Sequence, residues 1–229
     1  MKENITTIPI NDLFKPKDGC PLCRMEEMLE KNYVEFIVGD AMMEPNIRIE
    51  TNKKGFCHRH FSKMFNAGQK LPNALILESH LKAIMNEVLP KKGTSKPDKK
   101  ALDRIEELSG SCYVCDRITR DMTHLISTVL SEYEKSDDFK NLYREQPYIC
   151  LNHYALIMRQ ASGKGGVSSR NIKSFHEDTY NLTKNKLAQL KDDITHFCSM
   201  FDYRNRGNDF GKSKDAIERS IEYLTKEKP

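Results

Sequence analysis

Apolar residues recur at steps of three and four along most of the chain, which is the spacing of one face of an α-helix. Only residues 46–51 alternate between polar and apolar side chains, and this short segment predicts a strand. The helical pattern covers five stretches, at residues 25–37, 77–88, 118–130, 172–201 and 216–224. The chain is therefore expected to be an all-α protein.

Two copies of one cysteine–histidine pattern run along the chain. Each copy has a C-x-x-C motif followed by a C-x-x-H motif, and the copies contain Cys20, Cys23, Cys57 and His60, then Cys112, Cys115, Cys150 and His153. The spacers between the two motifs are 33 and 34 residues long, and an aromatic residue follows each histidine. This agreement indicates a tandem duplication, and hence two related helical halves.

Residues 90–100, between the two copies, are polar and basic and include two prolines and a glycine. Such a composition is typical of a linker. We therefore predict a first helical repeat at residues 1–90, a linker at 91–100, and a second repeat at 101–229. The second repeat includes a long helix and a C-terminal helix.

Each copy supplies three thiols and one imidazole, a donor set that is typical of closed tetrahedral zinc sites. The simplest assignment keeps each site within one copy. Site one then takes Cys20, Cys23, Cys57 and His60, and site two takes Cys112, Cys115, Cys150 and His153. Two zinc ions would each clamp one helical half, with an apparent affinity of roughly 10–16 kcal/mol per ion.

Four further residues are interpreted as structural. His58 has Leu151 as its counterpart in the second copy, so we expect a surface side chain. His80 and His176 lie on predicted helices and are interpreted as core histidines rather than partners of a metal ligand. Cys198 lies between Phe197 and Phe201 and is predicted to be a buried apolar thiol.

The same cysteines leave two alternatives open, a thiol-redox protein and an iron–sulfur protein. A C-x-x-C pair can be a reactive dithiol, but a thioredoxin-like site is expected in a βαβ setting that this chain does not predict. Cysteine-only ligation is the commoner arrangement in iron–sulfur clusters. No nucleophile–base pair remains once these cysteines are assigned, so a non-catalytic role is favoured.

The net charge and the hydropathy of the sequence indicate which partners and which cellular location to expect. The net charge of +4 is slight, and the long spacers do not match the roughly 12-residue spacing of a DNA-reading zinc finger. Nucleic-acid binding is therefore not expected, apart from weak RNA binding by the linker lysines. The chain contains no stretch of about 18 apolar residues and no secretory signal pattern, so a cytoplasmic protein without membrane association is expected.

The two motif pairs and the ending at residues 197–205, Phe-Cys-Ser-Met-Phe-Asp-Tyr-Arg-Asn, resemble an uncharacterised family of bacterial proteins, mainly from Gram-positive anaerobes. The resemblance runs along nearly the whole chain and implies no substrate. Together with the cysteine pattern it favours an intracellular zinc-binding interaction or regulatory module, whose partner is another protein.

Overall fold

The computed structural model describes residues 10–89, 98–163, 165–205, 207–227 and 229, and gives the backbone but not the side chains of residues 40 and 42. All regular secondary structure in these residues is helical, which confirms the all-α fold class. The α-helices are α1 (Ile10–Phe14), α2 (Pro21–Val38), α3 (Pro45–Lys54), α4 (His58–Asn66), α5 (Lys70–Val88), α6 (Lys99–Gly110), α7 (Tyr113–Lys135), α8 (Asp137–Arg144), α9 (Leu151–Ala161), α10 (Ile172–Ser199) and α11 (Ala216–Thr225). None of the described helices is both long and apolar enough to cross a bilayer.

The chain folds into two compact units whose boundaries fall inside α2 and α7. The split unit contains the described residues up to Met25 together with Thr123–Pro229, and the continuous unit contains Glu26–Met122. These units do not coincide with the predicted halves 1–90 and 101–229. Of the predicted linker 91–100, residues 91–97 lie outside the described residues, and Asp98 already caps α6 through a 3.0 Å bond from the amide of Lys100.

All four cysteine motifs lie at the starts of helices. α2 begins at the residue after Cys20, and α7 begins at the residue after Cys112. Cys57 and Cys150 are the N-cap residues of α4 and α9. Three-residue spacing at a helix start places the two side chains of each motif on the same face, so every motif presents both of its ligand atoms in one direction.

Aromatic side chains fill the core of the split unit. The rings of Phe14 and Tyr143 are 5.8 Å apart, and those of Tyr133 and Phe175 are 4.9 Å apart. The buried hydroxyl of Tyr143 lies 2.9 Å from that of Thr179, so its polar end is satisfied. These rings bring α1, α7, α8 and α10 together around one core.

The core of the continuous unit is built around α5. This helix packs against α3 on one side and α6 on another. Leu29, Ile37 and Met64 are fully buried here, and the ring of Phe56 lies 6.4 Å from that of Tyr113. The Phe56–Tyr113 contact holds the segment before Cys57 against the start of α7.

The prediction of a strand at residues 46–51 is wrong, because this segment belongs to α3. Pro45 occupies the first helical turn, where its missing N–H has no helical partner to lose. Gly55 ends the helix, and its amide donates to the carbonyl of Thr51 at 2.8 Å. Packing of α3 on α5 buries Thr51 and outweighs the short alternating pattern.

The prediction that Cys198 is a buried thiol is also wrong, because its side chain is exposed. Phe197 packs against Phe201 and Phe210, with ring centroids 5.4 and 5.3 Å away. Successive helix residues are about 100° apart around the axis, so Cys198 faces away from the aromatic group that its neighbour joins.

Candidate metal centres

The eight predicted ligands gather into two groups of four, but not in the predicted pairs. The split-unit cluster contains Cys20, Cys23, Cys150 and His153, and the continuous-unit cluster contains Cys57, His60, Cys112 and Cys115. In each group the ligand atoms all lie within 4.8 Å of one another. Each cluster thus combines the C-x-x-C motif of one copy with the C-x-x-H motif of the other, and the within-copy assignment is wrong.

The course of α2 accounts for this exchange, because its 18 residues cross the boundary between the two units. The helix begins in the split unit and ends in the continuous unit. The first C-x-x-H motif, which follows α2, therefore belongs to a different unit from the first C-x-x-C motif, which precedes it.

The split-unit cluster is arranged around one nitrogen of His153. Its Nδ1 atom lies 3.2 Å from the Sγ atom of Cys150, 3.4 Å from that of Cys23 and 3.8 Å from that of Cys20. The sulfurs of Cys23 and Cys150 are 3.6 Å apart. The hydroxyl of Thr183 donates to the carbonyl of Ile149 at 3.0 Å, which ties the residue before Cys150 to α10.

The continuous-unit cluster repeats this arrangement with His60. Its Nδ1 atom lies 3.2 Å from the sulfurs of Cys57 and Cys112 and 3.4 Å from that of Cys115. The sulfurs of Cys57 and Cys115 are 3.9 Å apart. Both motifs are joined by a backbone bond of 2.9 Å from the amide of Tyr113 to the carbonyl of Gly55.

Gly55 is needed for this approach of the two motifs. Its φ of 60° lies in the left-handed region, and a Cβ atom there would lie 3.0 Å from Nε2 of His80. His80 is buried and its Nδ1 atom is 3.1 Å from the carbonyl of Asn52. It belongs to neither cluster, as expected for a core histidine.

The other two structural histidines also lie outside both clusters. His58 is exposed, which confirms the surface side chain that the comparison of the two copies predicts. His176 is half-buried, and its Nε2 atom lies 3.3 Å from the hydroxyl of Ser162.

Glu30 is a residue of the continuous-unit site that the sequence analysis missed. Its side chain is only 4% exposed, and Oε1 lies 3.1 Å from Nε2 of His60. Arg59 and Lys63 contact the same carboxylate, with Nζ of Lys63 2.6 Å from Oε2. One sequence signal was available, since Glu30 falls on the same face of α2 as the buried Val34 and Ile37.

The cysteines and the histidine of the continuous-unit cluster change one another's pKa values. Burial raises the pKa of Cys112, but hydrogen bonding from His60 outweighs burial and lowers that pKa to about 6. Burial lowers the pKa of His60, but bonds to Cys112 and Glu30 raise it to about 10. Burial and the charge of Cys112 raise the pKa of Cys115. His60 thus favours a thiolate at Cys112, and that thiolate disfavours a second one at Cys115.

The dimensions of both clusters fit one tetrahedral zinc ion each. Two sulfurs bonded to such an ion at about 2.3 Å lie about 3.8 Å apart, and a sulfur and a nitrogen lie slightly closer. The measured separations run from 3.2 to 3.9 Å. Three thiols and an imidazole are also ligands that zinc prefers over the hard oxygen donors that magnesium and calcium need.

A family model described as a family of unknown function (DUF6062) matches residues 1–229. The chain belongs to this family. This finding confirms the resemblance to an uncharacterised family that the cysteine motifs indicated.

A more distant similarity links the chain to a curated bacterial protein. An uncharacterised 23.9 kDa protein in the xynA 3' region of Caldicellulosiruptor sp. (strain Rt8B.4) is 20% identical over 200 residues. The match covers 82% of this chain and 85% of that protein. No solved structure matches the chain.

Proposed function

We propose that this protein binds two zinc ions, one in each cluster, and that the ions hold the helices of each unit together. The observation that carries the proposal is the convergence of three thiols and one imidazole within 4.8 Å, found twice. Each ion would connect helix starts that are distant in sequence. The zinc would supply a cation that stabilises the thiolates, while the chain supplies the ligands and their orientation.

The compactness of the clusters favours a single ion over an iron–sulfur centre. The ligands of an iron–sulfur cluster bind several irons and are spread around a multi-atom core, whereas these four atoms are mutually close. A redox dithiol would use the two sulfurs of one C-x-x-C motif and would leave the converging histidine and third cysteine without a role. Zinc accounts for all four residues.

We further propose that the protein acts as a non-catalytic interaction or regulatory module with a protein partner. One supporting feature is a row of exposed apolar residues on α5, where Leu77, Leu81 and Met85 repeat at steps of four. Exposed apolar rows of this kind are common at protein-binding surfaces. Replacing Leu81 and Met85 with Glu should abolish the co-purification of a partner from the native host while two zinc ions remain bound.

Elemental analysis of protein purified without chelator tests the zinc proposal. We expect two zinc ions per wild-type chain and one ion per chain after Cys115→Ser. Cys198→Ser should keep both ions, because the exposed Cys198 belongs to neither cluster. A colourless wild-type sample is expected. A brown sample with bound iron and sulfide, or a wild type with no metal, would contradict the proposal.

A further inference from the structure

Both nitrogen atoms of the His60 imidazole have charged or thiol neighbours. Its Nδ1 atom faces the three sulfurs of the continuous-unit cluster at 3.2 to 3.4 Å. Its buried Nε2 atom lies 3.1 Å from Oε1 of Glu30, within ion-pair distance, although the two atoms are not aligned as a hydrogen bond. A lone pair on Nε2 would face a carboxylate oxygen, so this contact favours a hydrogen on Nε2, and a metal ion in the cluster would then bind the lone pair on Nδ1.

The carboxylate of Glu30 is itself held by the helix that carries His60. Nε and Nη2 of Arg59 lie 2.9 and 3.1 Å from its two oxygens, and Nζ of Lys63 lies 2.6 Å from Oε2. α4 thus directs Arg59, His60 and Lys63 toward one acid on α2. A buried carboxylate is costly unless it is paired, and here it has two cationic partners and one ring contact.

We propose that Glu30 is a positioning residue for metal binding at the continuous-unit cluster. Its carboxylate fixes the orientation of the His60 ring, keeps the hydrogen on Nε2 and presents Nδ1 to the ion. Outer partners of this kind make the imidazole a better ligand, and their loss lowers metal affinity by about 10- to 100-fold. The inference rests on the proposed zinc binding, but concerns a residue outside the set of four ligands.

The duplication supplies an internal comparison. At the offsets of the two copies, the positions of Glu30, Arg59 and Lys63 correspond to Met122, Asn152 and Leu156. None of the three counterparts carries a charge, although all four ligands are repeated. The three residues that surround Nε2 of His60 are thus not repeated at the corresponding positions, and substitution of Glu30 should affect only the zinc ion of the continuous-unit cluster.

The test is a chelator competition on the full-length, zinc-loaded protein with Glu30→Gln. We expect one zinc ion to bind about 10- to 100-fold more weakly and the other to bind as in the wild type. Glu27→Gln is the matched control, because Glu27 is an exposed acid on the same helix. Equal competition curves for the two variants would overturn the inference. A wild type without zinc would instead contradict the proposed function.

Nitrogen-15 NMR of the histidine rings adds a readout that a purely structural role would not move. In the zinc-loaded wild type, His60 should show a metal-bound Nδ1 and a protonated Nε2, and Glu30→Gln should shift the Nε2 proton signal. Coordination through Nε2 in the wild type would overturn the inference, even if the Glu30 variant failed to fold.

Discussion

The two Cys/His clusters share their donor atoms but differ in what surrounds them. Next to the split-unit cluster, the hydroxyls of Thr183 and Tyr223 both donate to the carbonyl of Ile149, at 3.0 and 3.3 Å. Next to the continuous-unit cluster, the buried acid Glu30 contacts the ligand histidine directly. Cys57 and Cys115 are both half-buried there, whereas the split-unit cluster has a single half-buried thiol. The same set of cysteines and histidines therefore has different neighbours and a different accessibility in the two clusters.

The two clusters also differ in the length of the chain segment between their two motifs, but this difference has a smaller effect. Cys23 and Cys150 are separated by 126 residues, and His60 and Cys112 by 51. The entropic cost of loop closure grows only with the logarithm of length, so this difference amounts to about 0.8 kcal/mol. That is small beside the roughly 10–16 kcal/mol of a structural zinc site. The surroundings of the ligands, rather than loop length, should set the two sites apart.

Removal of both metal ions should have the largest effect. A strong chelator should lower the melting temperature and the helical content, because the thiolates in each cluster then repel one another without a cation. Acid should act in the same direction, since protons compete with the metal for the thiolates and imidazoles. Circular dichroism during heating measures both the melting temperature and the helical content. Adding zinc back should restore the melting curve of the untreated protein. An unchanged melting curve for metal-free protein would favour the redox alternative.

The difference in accessibility should appear in the order of thiol modification. In zinc-loaded protein, iodoacetamide should modify the exposed Cys198 first, then Cys57 and Cys115, and the buried Cys20 and Cys150 last. Mass spectrometry of timed samples, with zinc release followed in parallel, gives this order. Modification of Cys20 and Cys150 before Cys57 and Cys115 would show that accessibility does not distinguish the sites.

A smaller effect is expected from Thr183→Val, which removes one of the two hydroxyls that donate to the carbonyl of Ile149 and leaves that of Tyr223. The loss of one neutral hydrogen bond should cost about 1 kcal/mol in the free energy of unfolding, measured by chemical denaturation. Thr195→Val is the matched control, because Thr195 is exposed on the same helix. Zinc affinity should fall less than in Glu30→Gln. A larger fall would mean that the neutral contact positions its ligand as strongly as the charged one.

The repeat predicted the eight cysteines and histidines that form the clusters but could not predict how they group. Two C-x-x-C motifs and two C-x-x-H motifs form either set of pairs with the same donor atoms. The choice depends on where α2 takes the chain, and helical periodicity gives the length of a helix without its direction in the fold. The same periodicity did predict the main helices, because their apolar faces are long and regular.

The errors at residues 46–51 and at Cys198 have a common physical origin. Both interpretations rested on a few neighbouring side chains, and in both cases contacts with distant residues decide the outcome. Packing on α5 selects the helix at α3. At Cys198 the aromatic contacts involve the adjacent Phe197 instead. Glu30 was missed for a related reason, because its role depends on contacts with residues of α4 that are distant in the sequence.

The most direct test of the exchanged pairing is the zinc content of two double variants, measured with a competing chelator present. Cys20→Ser with Cys150→Ser removes two ligands from the split-unit cluster and should leave one zinc ion bound. Cys20→Ser with Cys57→Ser removes one ligand from each cluster and should leave none bound tightly. The reverse result, no zinc in the first variant and one ion in the second, would contradict the account and restore pairing within each copy.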